Sequence, residues 1–130
     1  MTDNMTKLYI DKTDTTPEIN FEHGKLCIFG TFVPENPYEF YSELYDWIKI
    51  YAKSPATETI VNVGIAYTRG FAMEYIEALL QEVVYLNDKE HRVIVNWYFS
   101  PCSIDKKAGE YLSWKLEHPF NFVEVDEIHE

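Results

Sequence analysis

Thr59-Ile60-Val61-Asn62-Val63-Gly64-Ile65-Ala66, then Tyr67-Thr68-Arg69-Gly70, then the amphipathic stretch 71–86, is the passage that decides the fold. The first segment is almost continuously apolar and rich in β-branched residues. It reads as a strand buried on both faces, as in a parallel sheet. In the last segment Ala72, Ile76, Leu79, Leu80 and Val83 recur at helical spacing, which predicts a helix from about 70 to 86 with one buried side. A strand running through four residues into a helix is the first half of a βαβ unit.

Working outward, the pattern repeats. Residues 92–99 (Arg-Val-Ile-Val-Asn-Trp-Tyr-Phe) read as a second central strand. A third helix is expected from Ser103 to about Leu116, with Ile104, Ala108, Leu112 and Leu116 facing inward, and 120–125 form the last strand. Upstream, Asn36 precedes Pro37, with Glu39 three residues on. That is an N-cap, a first-turn proline and a capping-box acid. Phe40, Leu44, Trp47, Ile48 and Tyr51 line one face of the helix that follows, and Ser54-Pro55 stops it. Residues 18–22 and 25–29 flank His23-Gly24 and make a β-hairpin, with a short strand possible at 7–10.

The order is hairpin, then helix and strand three times over. Strand–helix–strand units demand parallel pairing through right-handed crossovers. The expected fold is therefore α/β: one domain spanning 1–130, with a mixed sheet, an N-terminal antiparallel hairpin and a βαβαβ parallel part. The ends, 1–4 and 127–130, are expected to fray. Functional sites in such sheets gather at the carboxyl ends of strands. Those ends carry Tyr67-Thr68-Arg69 and Ser100-Pro101-Cys102.

Composition narrows the function. The chain has 130 residues, 46% hydrophobic and 16% aromatic, with a formal net charge of −11. It can build a core, and its surface repels nucleic acid and anionic lipid. No signal peptide and no apolar run of membrane-spanning length is visible, so the cytoplasm is the expected compartment. The two cysteines, Cys27 and Cys102, form no disulfide framework. Cys27 reads as a small buried hydrophobe within its strand. The glycines at 24, 30, 64, 70 and 109 make no phosphate-binding pattern, and the four histidines make no helical metal pair. No cofactor and no metal are implied.

Two residues are candidates for chemistry. Cys102 follows a strand near a helix N-terminus, where a thiol pKa falls. It is the enzyme hypothesis open to this chain, although no histidine or glycine-rich cradle accompanies it. Thr68 stands at the seam between strand and helix. Its hydroxyl can cap free helix N–H groups. Alternatively it is a phosphoacceptor, carrying roughly −1.5 to −2 charge where the helix dipole favours anions.

Several segments together resemble one family. They are Thr16-Pro17-Glu18-Ile19-Asn20-Phe21, Gly24-Lys25-Leu26, Pro34-Glu35-Asn36, Glu39-Phe40-Tyr41, Asp46-Trp47, Val95-Asn96-Trp97-Tyr98, Ala108-Gly109-Glu110 and Pro119-Phe120. In order and spacing they resemble the SiaC-type regulatory phosphoproteins of bacteria. The resemblance implies a fold similar to the STAS domains of anti-sigma-factor antagonists. It also implies a partner switch: a dedicated kinase phosphorylates a threonine and a PP2C-type phosphatase removes the phosphate. The unphosphorylated form binds and activates a diguanylate cyclase, raising cyclic di-GMP and promoting biofilm. The family threonine lies in a Tyr-x-Asn-Thr-Ser-Ser type motif, and Thr68 is the position that matches. Here the motif asparagine is Tyr67, the serines are Arg69 and Gly70, and Ile65 stands at the tyrosine. The resemblance therefore implies phosphorylation at Thr68 and no catalytic residue. Tyr67, Thr68, Arg69 and Gly70, with Glu35 and Asn36, form the expected partner-binding set. Tyr38, Tyr41 and Tyr45 are a further contact patch or simply the margin of the core. A constitutive binding module of the same fold, with its switch lost, is the alternative.

Overall fold

The computed structural model describes residues 6–101 and 105–128. Strands β1 (Leu8–Ile10), β2 (Glu18–Glu22) and β3 (Lys25–Phe32) come first. Helix α1 (Pro37–Tyr51), β4 (Glu58–Thr68), α2 (Ala72–Val84), β5 (Arg92–Phe99), α3 (Asp105–Lys115) and β6 (Phe120–Glu124) follow. The strands form one six-stranded sheet in sequential order, β1 to β6. The first three pair antiparallel, and β3 to β6 pair in parallel. The expected mixed sheet is present, with β1 as a third antiparallel strand.

Sequential strand order has a consequence for the helices. Each of the three crossovers is right-handed and steps in the same direction, so α1, α2 and α3 share one face of the sheet. That face holds the core: Ile19, Phe21, Leu26, Ile28, Val61, Val63, Ile65, Val95 and Trp97 meet Leu44, Ile48, Ile76, Leu80 and Leu112. The expectation that β4 is covered on both faces is corrected here. Its residues alternate between buried Thr59, Val61, Val63 and half-buried Ile60, Asn62 on the opposite, helix-free face.

Local chemistry sets the boundaries. Asn36 accepts the Glu39 backbone N–H, with Pro37 at the first helical position, as the capping pattern predicts. Three pieces of the resemblance meet in space. A side chain at Gly109 would begin 2.6 Å from the indole of Trp97, and Trp97 stacks on Phe120 at 6.3 Å. The buried Tyr51 hydroxyl lies 2.6 Å from Thr59 Oγ1 and accepts the Ala56 N–H at 3.1 Å. Removing it leaves both partners short of a bond. Tyr51→Phe is therefore expected to cost about 1–3 kcal/mol, read as a lower urea midpoint at unchanged slope.

The helix-free face carries a ladder of side-chain amides. Cys27, Asn62, Asn96 and Asn121 stand in register on β3, β4, β5 and β6. Asn121 Nδ2 donates to Asn96 Oδ1 at 3.0 Å, Asn96 Nδ2 to Asn62 Oδ1 at 2.9 Å, and Asn62 Nδ2 to Cys27 Sγ at 3.6 Å. Cys27 is thus half-buried on this face rather than a core hydrophobe. One register step along, Phe29 and Tyr98 flank Gly64. Their rings meet edge to face at 5.2 Å above it, because Gly64 carries no side chain. Residues 125–128 turn onto this face, and Ile128 is buried against Gly64. Of the ends expected to fray, 1–4 and 129–130 fall outside the described residues.

Candidate partner-docking site

The site at the carboxyl ends of β3 and β4 begins with a register slip. Gly30 pairs with Ile65, but Thr31 pairs with Tyr67, so Ala66 is an extra residue in β4. A one-residue slip reverses the facing of everything after it. It brings Thr68 opposite Phe32, and Thr68 Oγ1 donates to the Phe32 carbonyl oxygen at 2.8 Å. This corrects the capping expectation. Thr68 is the last residue of β4, half-buried, and its hydroxyl ties two strand ends together instead of capping a helix.

Helix α2 starts later, at Ala72, with Phe71 in the cap position and no side-chain acceptor for its first N–H groups. Between strand and helix, Gly70 adopts φ +64° with open space around its Cα. That left-handed turn suits glycine and releases the chain into α2. Arg69 is exposed and forms no ion pair with a described residue.

Exposed aromatic residues stand close to Thr68 in the chain and in the first turn of α1. Tyr67 is 52% exposed and Phe71 78%. Tyr38, in the first turn of α1, is 63% exposed. From it runs a seam of rings: Tyr38 to Tyr41 at 6.2 Å, Tyr41 to Tyr45 at 5.5 Å and Tyr41 to Tyr75 of α2 at 5.3 Å. Burial, then the neighbouring Tyr45 and Glu82, raise the Tyr41 phenol above its ordinary pKa, so it stays neutral. Such a cluster of exposed tyrosine and phenylalanine has the composition of an interface centre.

Glu35 and Asn36 leave the end of β3, next to the Thr68–Phe32 bond. Asn36 is exposed, but its amide oxygen is committed to α1. Glu35 joins Glu39 and Glu43 along an open groove of about 580 Å³, walled on the other side by Thr15 and Thr16. The Thr15 carbonyl holds Val33 N–H at 2.8 Å and fixes that wall. The structure therefore brings the six expected residues to one end of the sheet. It adds Phe71, Tyr75 and the Phe32 carbonyl. Of these, Phe71 was open to sequence reasoning, being a bulky apolar residue where a capping residue would stand.

The second strand end carries Ser100-Pro101, and Cys102 lies outside the described residues. Among the described residues no group of His, Cys, Asp and Glu is placed to hold a metal ion. No described helix is long and apolar enough to cross a membrane.

Comparison with known proteins bears on this geometry. Residues 10–125 match the family described as SiaC family regulatory phosphoprotein. The chain belongs to the SiaC family. A relative from Pseudomonas aeruginosa strain UCBPP-PA14, an uncharacterized protein, is 22% identical over 97 residues, covering 73% of this chain and 77% of the relative. The solved structure of SiaC of Pseudomonas aeruginosa superposes with a TM-score of 0.83 at 20% identity, over 93% of this chain and 100% of that one. A second match is the crystal structure of the diguanylate cyclase SiaD in complex with its activator SiaC, from the same organism. Its TM-score is 0.81 at 19% identity, covering 91% and 99% of the two chains. The SiaC fold is thus shared across nearly the whole length.

Proposed function

We propose that this SiaC-family chain is a non-enzymatic regulator that binds a diguanylate cyclase and raises cyclic di-GMP formation. In this reading a protein kinase phosphorylates Thr68, which releases the cyclase, and a PP2C-type phosphatase restores binding. The setting is the cytoplasm of a bacterium that forms biofilms.

The observation that carries the reading is the bond from Thr68 Oγ1 to the Phe32 carbonyl, at a strand end that carries the exposed Tyr67 and Phe71. Phosphoryl transfer replaces the hydroxyl proton with phosphorus. The resulting ester oxygen has nothing to donate, and the new charge faces a carbonyl oxygen that repels it. The side chain must leave Phe32, and the β3 and β4 exits lose their tether. The uncapped first turn of α2, with Arg69 beside it, offers the freed phosphate the nearest positive surroundings. Tyr67 and Phe71 would move with that swing, because they flank the same turn. A partner packed on those rings then loses its surface and meets a charge that is costly to desolvate.

The matched cyclase–activator complex supports the choice of partner class. The test is direct. The purified chain is added to a diguanylate cyclase of its own organism, and cyclic di-GMP formed from GTP is measured. Stimulation together with co-elution in gel filtration is expected. Absence of both stimulation and co-elution, with every cyclase of that organism, would sink the reading.

A second reading keeps the docking surface and drops the switch. The residues around Thr68 favour it, since Tyr67, Arg69 and Gly70 replace the polar motif of the family. Charge substitution at Thr68 separates the two readings.

A further inference from the structure

The helix-free face of the sheet holds a cavity unrelated to the docking end. It has a volume of about 330 Å³ and lies under the 125–128 segment. Its walls are Phe29, Tyr98 and Ile128, its floor is Asn62, and Lys25 and Glu127 line it as well. The Phe29 ring and Ile128 close over Gly64, and with Tyr98 and Val125 they form the apolar wall of the cavity.

Two features indicate what chemistry would fill it. Lys25 and Glu127 border the same cavity, yet neither forms an ion pair with a described residue, including each other. Asn62 ends the amide ladder with its Nδ2 aimed at the Cys27 sulfur at 3.6 Å, a weak acceptor. A carboxylate is a far stronger acceptor for that N–H and a partner for Lys25. An ammonium group would answer Glu127. A ligand with only a negative charge meets Glu127 and the −11 field of the chain. One with only a positive charge meets Lys25.

We propose that this cavity binds a free zwitterionic α-amino acid with an apolar side chain. The carboxylate lies toward Lys25 and Asn62, the ammonium toward Glu127, and the side chain against the apolar wall of Phe29, Tyr98, Val125 and Ile128. The volume stands at the lower end of small-molecule pockets and suits a ligand of roughly nine to fifteen non-hydrogen atoms. This proposal is independent of cyclase binding, because its readout is direct binding to the chain alone.

The experiment is isothermal titration calorimetry of the full chain with L-leucine and L-phenylalanine. Saturable binding is expected with a Kd on the order of 0.1–1 mM. Lys25→Gln and Glu127→Gln should each weaken it by about tenfold or more. On the wild type, N-acetyl-L-leucine, which lacks the ammonium, and L-leucinamide, which lacks the carboxylate, should lose affinity to a similar extent. L-leucinamide binding should also be indifferent to Lys25→Gln. No saturable heat for either amino acid up to about 10 mM overturns the proposal. So does unchanged L-leucine binding in both variants, or equal affinity for the blocked ligands.

Discussion

Thr68→Glu is expected to weaken binding to the cyclase on the order of a hundredfold, about 2.7 kcal/mol, and to remove its stimulation. Glutamate cannot donate to the Phe32 carbonyl, and it brings a carboxylate to the strand end that carries the exposed Tyr67 and Phe71. Either a retained charge is desolvated on docking or the turn rearranges to avoid it, and both oppose the complex. Thr68→Ala provides the contrast. It loses the same hydrogen bond, at about 1 kcal/mol of stability, but adds no charge, so binding should stay within a few-fold of wild type. Affinity is measured by calorimetry and stimulation as cyclic di-GMP formed. If Thr68→Glu binds and stimulates as wild type does, Thr68 is no switch and the constitutive reading stands.

The largest effect on stability is expected at Gly109. Its Cα faces the indole of Trp97, which is fully buried, and any Cβ would begin 2.6 Å from the ring. Trp97 cannot retreat, because Phe120 stacks against it and the sheet lies behind it. Gly109→Val must push α3 off β5. Its cost should reach or pass the ~3 kcal/mol upper end of ordinary overpacking, a fall in Tm of about 10 °C or more. The control is Glu110→Val, the same β-branched residue on the exposed side of the same helix. It should cost only about 0.5 kcal/mol, the helix-propensity difference. Equal melting of the two variants would show that α3 is not seated on Trp97 as described.

Much of this architecture could be read along the chain, for identifiable reasons. The Arg92–Phe99 strand coincides with its expected bounds, because turns flank a continuous β-branched and aromatic run. The α1 start is equally clear, since Asn36, Pro37 and Glu39 each act within one turn. What escaped depends on distant partners. Alternation divides Cys27 from Leu26 and Ile28 but cannot tell which side the helices cover. That choice follows from three crossovers all stepping the same way. The extra residue at Ala66 has no local signature, because a bulge is defined by the neighbouring strand. Without it Thr68 reads as the start of a helix instead of the end of a strand. Ile128, a single apolar residue in an acidic tail, offers no period at all.

That the proposed docking residues gather at one end of the sheet was legible in outline, since strand ends in an open α/β sheet point there. Its chemistry was not. The Phe32 carbonyl is a backbone group that any residue would supply, and Phe71 takes its meaning from the missing cap beside it.

The amide ladder on the helix-free face carries a last consequence. Its bonds join positions 35, 34 and 25 residues apart, and all three donate in one direction, from β6 toward β3. A parallel strand displaced by two residues would keep its apolar side inward, so burial alone barely penalises that error. The ladder does, because a shifted amide would face residues such as Ile60, Gly64 or Ile94, none of which offers a side-chain acceptor. Asn62, Asn96 and Asn121 thus work as a proofreading row, which distinguishes the native alignment of the parallel strands from the slipped alignments that oil-like packing tolerates.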